Sequence, residues 1–173
     1  MSAHKPWVTA SDAEKRYTRS DSSLFKAFPS DVSFAGDCRR HKFDLELATA
    51  AAGYSRGPRY SEATKERIAD VLRSGDNVHY HGSKEANRRD RHAADAVLRS
   101  AYYGEPVTVK AHAAAHIREG AEFLASRKAD LPGGFVKSAA EMYSGVRDAS
   151  GRKVVDGRMF NTGRPKGSSS SRK

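Results

Sequence analysis

His112 and His116 stand four residues apart in the run VKAHAAAHIREG, and Cys38 and His41 stand in C-x2-H spacing. Positions i and i+4 share one helix face, so two such pairs would in principle supply the Cys and three His donors of a tetrahedral zinc site. The chain has a single cysteine, and no H-E-x-x-H arrangement accompanies the histidines. A lone thiol lacks the paired-cysteine pattern of a zinc knuckle. The favoured reading makes His112 and His116 polar edge positions of a helix and Cys38 a small, partly buried group, with no metal and no cofactor assigned.

A second constellation lies over His79–His92, where His79, His81 and His92 accompany Lys84 and Arg88. Metal-independent phosphodiester cleavage needs a general base, a general acid and a cation facing the developing charge, and this segment holds residues of each type. An extended backbone would turn His79 and His81 to opposite sides, which weakens a paired role. A small nuclease or hydrolase is therefore an alternative reading, and no catalytic residue is assigned. The sequence shows no Walker-type glycine loop and no nucleophile elbow.

Phosphate binding is the chemistry with most residues behind it. From Arg147 to the end run eight basic residues against two acids, +6 of a formal net charge of +10. Three Gly-Arg pairs begin at Gly151, Gly157 and Gly163. Glycine lets a backbone approach a crowded surface, and the guanidinium fork matches phosphate oxygens. Arg152, Lys153, Arg158, Arg164, Lys166, Arg172 and Lys173 are the expected phosphate contacts of this arm. Val154, Val155, Met159 and Phe160 indicate that its first half also docks on protein. Gly163-Arg164-Pro165-Lys166 resembles the core of an AT-hook, in which Arg-Gly-Arg-Pro is usual and which lies in the DNA minor groove. Here Thr162 replaces the first arginine, so generic phosphate contact is favoured over base readout.

Two further basic groups join the arm. Lys84, Arg88 and Arg91 fall on one face if their segment is a continuous helix. Arg56 and Arg59 alternate with Tyr54 and Tyr60 in a Gly-Pro loop, a composition suited to stacking on unpaired bases or to anchoring a protein partner.

The elements that must position these residues read as all-α: a small irregular bundle of about five to six helices with an extended N-terminal strap and a basic C-terminal arm. Ser11-Asp-Ala-Glu14 is a capping box. Helices are expected over 41–52, stopped by Gly53; over 62–74, capped by Ser61; from Ser83 to about 103, ended by Gly104; from 108 or 109 to 128, weakly interrupted at Gly120; and from 135 to about 146. No strand alternation stands out. The domain reading is 1–40 as an N-terminal extension with an aromatic strap, 41–147 as the helical domain, and 148–173 as the arm.

Leu, Ile, Val and Phe make up only about 16% of the chain, below the roughly 20% under which highly charged chains tend towards disorder. A thin core suggests stability drawn partly from neighbouring subunits. One cysteine permits no intramolecular disulfide, which fits a reducing compartment. No apolar run approaches the ~18 residues of a transmembrane helix, and the first residues lack an apolar signal core. The expectation is an intracellular (cytoplasmic) or particle-packaged protein with no membrane association. It is read as a non-enzymatic structural or assembly component of a nucleoprotein particle, virion-interior or ribosome-like. Its partners would be RNA or DNA phosphates and other protein subunits. A protein-only assembly factor with a solubilising tail is the remaining alternative.

Overall fold

The computed structural model describes residues 35–36, 40–54, 60–79 and 81–161. The chain is mostly helical. Helix α1 spans Leu45–Tyr54 and α2 spans Glu62–Leu72; α3 is Lys84–Arg89, α4 is Arg91–Tyr103, α5 is Ala111–Ser126 and α6 is Gly133–Tyr143. Single 3-10 turns occupy Gly75–Asn77, Lys128–Asp130 and Gly157–Phe160. Helix α6 packs on α1 and α4, and α4 packs on α5.

Local chemistry explains most boundaries. Ser61 caps α2 by accepting from Thr64 N at 3.1 Å, and Ser83 caps α3 by accepting from Ala86 N at 3.0 Å. Gly104, with φ of 70°, closes α4 in the left-handed conformation that glycine adopts without a Cβ penalty.

Several expectations are corrected. The helix expected from residue 41 starts at Leu45 and runs through Gly53 to Tyr54. His41 instead lies in an antiparallel bridge with Val78. The helix expected from Ser83 to 103 breaks at Asp90, whose φ and ψ of −95° and 6° leave helical geometry while its carboxylate turns inward. Gly120 does not interrupt α5. It lets the helix lie against the chain before α1: a Cβ there would overlap the Lys42 carbonyl and come 3.2 Å from the Phe43 Cα. A short parallel pair, β1 (Val107–Thr108) with β2 (Val146–Arg147), joins the ends of α4 and α6 in the register Val107↔Val146. Two residues per strand are too few to show alternation in a sequence.

The segment after β2 belongs to the body as far as Asn161. Val154, Val155 and Phe160 are buried, and Phe160 stacks on Tyr143 with ring centroids 6.2 Å apart. Lys128 Nζ donates to the carbonyls of Met159, at 2.9 Å, and Asn161. The core is one cluster in which Phe43 meets Phe135 edge-on at 6.5 Å, and alanine is its commonest residue. Small side chains let the helices approach closely, so the few large apolar residues concentrate in one interior. Among the described residues Tyr103 is the exposed large hydrophobic, and no helix is long and apolar enough to cross a membrane.

Candidate functional site

The most concentrated chemistry in the body is a buried charged cluster where α1, α4 and α5 meet the 40–44 and 77–79 segments. Asn77 positions two sides of it. Fully buried, it accepts from Phe43 N at 2.8 Å and donates to the Leu72 carbonyl at 2.8 Å. Residues 40–43 are thereby held alongside 77–79, with His79 N donating to the Arg40 carbonyl at 2.8 Å and Lys42 N to the Asn77 carbonyl at 2.8 Å. Arg40, Asp44 and His79 then face α5, which contributes His112, His116 and Glu119.

Asp90 lies at one end of the cluster with its side chain 2% exposed. Its carboxylate accepts from Arg40 Nη2, from Arg89 Nη2 at 3.1 Å and Nε at 3.2 Å, and from His112 Nδ1 at 2.9 Å. The four lone-pair sites of a carboxylate are thus all used. Burial alone would raise its proton affinity, but the hydrogen bonds from Arg89 and His112 and the charge of Arg40 outweigh it and hold the pKa below the ordinary carboxylate value.

His116 lies at the other end. Its Nε2 faces both oxygens of Asp44 at 3.1 and 3.2 Å, and its Nδ1 is 3.0 Å from Arg40 Nη2. Burial pulls its pKa down and the Asp44 hydrogen bond pulls it up, with the balance on the raised side. A guanidinium brings only donors. In the neutral tautomer that fits both contacts, Nδ1 accepts from Arg40 and Nε2–H donates to Asp44; protonation of the ring would require Arg40 Nη2 to withdraw. His79 stacks on His116 with centroids 6.1 Å apart. Burial, then the nearby charges of Arg40 and Lys42, lower the His79 pKa against the pull of Glu119. His79 Nε2 is buried without a hydrogen-bond partner, 3.4 Å from Glu119 Oε1.

The residues expected from the sequence are distributed differently. His112 and His116 do share a face of α5, but each meets its own carboxylate. Cys38 lies outside the described residues. The three histidines of the 79–92 segment do not converge: His79 turns inward against His116, whereas His81 and His92 are exposed.

Among the expected phosphate contacts, Lys84 and Arg88 are exposed on one face of α3. Arg91 begins α4 beyond the break at Asp90, and its side chain is outside the described residues, as are Arg56, Arg59, Arg164, Lys166, Arg172 and Lys173. Arg152 and Lys153 are exposed at the far side of a tight turn. There the Asp148 carboxylate accepts from Ser150 N at 2.9 Å and Arg152 N at 3.1 Å, and Gly151 takes a φ of 86°. Arg158 is held by Asp156 through Nε at 3.1 Å and Nη2 at 2.8 Å. The Arg158 side-chain bond, with that from its backbone N–H, brings the Asp156 pKa to about 2. Two of the three Gly-Arg pairs are therefore parts of local turns rather than of an unconstrained arm.

Arg40, Asp44, Asp90 and Glu119 were not singled out from the sequence. Arg40 and Asp90 are 50 residues apart and carry no local signature. The one readable signal was His116-x2-Glu119, which places an imidazole and a carboxylate on one face of α5. No family model matches the chain, and no curated protein or solved structure matches it.

Proposed function

We propose that this chain is a non-enzymatic, phosphate-binding component of a nucleoprotein assembly, in which a folded helical body carries basic residues to RNA or DNA. The observation that supports this reading is the imbalance between cations and acids at the surface. The net charge is +10, and residues 162–173 carry four basic side chains and no acid. Among the described residues, Arg88, Arg99, Lys110, Arg152 and Lys153 are exposed and form no ion pair. Arg67, Arg118 and Lys137 are likewise exposed without an ion pair, against four such acids, Glu85, Glu105, Glu122 and Glu141, while Asp44 and Asp90 are used in the buried cluster. An excess of unpaired surface cations attracts a phosphate backbone through counterion release and carries no base preference. A particle interior, whether virion or ribosome-like, is the setting this reading suits, with other subunits contacting the body.

Binding of the full chain to a labelled generic duplex, DNA in one series and RNA in another, tests the reading across 50–200 mM salt. With about six phosphate contacts the affinity should fall by about three orders of magnitude over that range. Removal of 162–173 should lower the slope of log K on log salt by up to about 3–4. Truncation at 148 is not suitable, because it also removes Val154, Val155 and Phe160 from the core. Absence of binding, or binding indifferent to salt, would refute the proposal and favour a protein-only assembly factor.

A further inference from the structure

We propose that His79, His116 and Glu119 form a binding site for one divalent transition-metal ion, with zinc the best match to the donor set. One donor atom from each residue lies within 4.8 Å of the other two. Two imidazole nitrogens, which are borderline donors, and one carboxylate oxygen make a set that zinc accepts, with a fourth position left for water.

The His79–Glu119 contact carries the argument. Their 3.4 Å separation, with the nitrogen buried and unbonded, is a poor hydrogen bond. It is, however, the spacing a metal requires. Metal–nitrogen and metal–oxygen bonds of about 2.0–2.2 Å at a tetrahedral angle set nitrogen and oxygen ligands about 3.4 Å apart.

His116 supplies the third donor. Its Nε2–H already donates to Asp44, and ligation through Nδ1 would keep that bond. The result is the carboxylate–histidine–metal arrangement that orients most ligating imidazoles. Arg40 Nη2 now occupies the approach to Nδ1 and would withdraw to Asp90, its other partner. Metal and guanidinium thus compete for one nitrogen, and the positive charges of Arg40 and Lys42 oppose the ion, which moderates its affinity. The Glu119 side chain is 43% exposed, so the ion reaches the site from solvent. Once bound, it ties α5 to the 77–79 segment and, through Asp44, to the start of α1.

Metal binding at this cluster does not depend on phosphate binding. The full chain, stripped with a chelator and dialysed, is titrated first with Co2+ and then with Zn2+. The expected result is saturation at one equivalent, with the visible absorption of tetrahedral cobalt, lost when zinc displaces it. Glu119→Gln and His79→Gln should each weaken zinc binding at least tenfold with unchanged far-ultraviolet circular dichroism, and Cys38→Ser should leave it unchanged. Glu119 is partly exposed, so Glu119→Gln keeps the test valid if His79→Gln does not fold. No saturable binding, parental affinity in Glu119→Gln, or loss of binding in Cys38→Ser would each overturn the assignment.

Discussion

Asp90→Ala tests whether the buried cluster holds the body together. The Asp90 side chain is 2% exposed and that of Arg40 10%. Removing the carboxylate leaves the Arg40 guanidinium inside the protein with His116 Nδ1 as its remaining described acceptor and with its Nε already unbonded. Arg89 and His112 regain water and add little, since exposed pairs contribute weakly. The cost is therefore set by Arg40. Breaking a buried ion pair from one side costs about 3–5 kcal/mol, a large part of the roughly 5–15 kcal/mol that holds a domain folded. With an m-value of about 1–3 kcal/mol/M, the urea midpoint followed by circular dichroism should fall by about 2 M. Adding Arg40→Met should restore most of the loss, because an apolar side chain needs no counter-charge. A loss below about 1 kcal/mol for Asp90→Ala, or a double variant no more stable than the single one, would refute the account of the cluster.

Three further outcomes follow from the same geometry. The depressed pKa of Asp90 means that its contribution is fully present above the unfolded carboxylate value of about 3.9 and is lost as pH falls through the lower folded value; urea midpoints between pH 6 and 3 should drop on acidification, and Asp90→Asn should flatten that drop. Gly120→Ala forces a Cβ into the Lys42 carbonyl, a backbone atom that cannot rotate away, so thermal unfolding should show a loss of about 1–3 kcal/mol. Phe160→Ala removes a buried ring stacked on Tyr143 and should cost about 3–5 kcal/mol by urea denaturation; little change would mean that the segment after β2 is not part of the core.

Helix positions were legible where the signals are local. Ser61, Ser83 and Gly104 mark their boundaries because a cap bonds within a few residues of itself. Asp90 misled because its reason for breaking a helix is Arg40, far away in the chain. Gly120 read as an interruption because the segment it accommodates, Lys42 and Phe43, is visible only after folding. The Gly-Arg pairs at 151 and 157 suggested a loose arm, yet Asp148 and Asp156 close each into a turn through short-range bonds that composition does not reveal. The apolar residues Val154, Val155 and Phe160 were the better guide to that segment.

The sequence alone determined the helical class, the excess of positive charge and its concentration towards the C-terminus, because periodicity, caps and charge are properties of neighbouring residues. Tertiary structure decided which charges are spent internally and which remain at the surface, and it brought His79 beside His116 and Glu119. Those pairings depend on burial and on contacts between distant segments, where the loss of water makes a single carboxylate or imidazole matter.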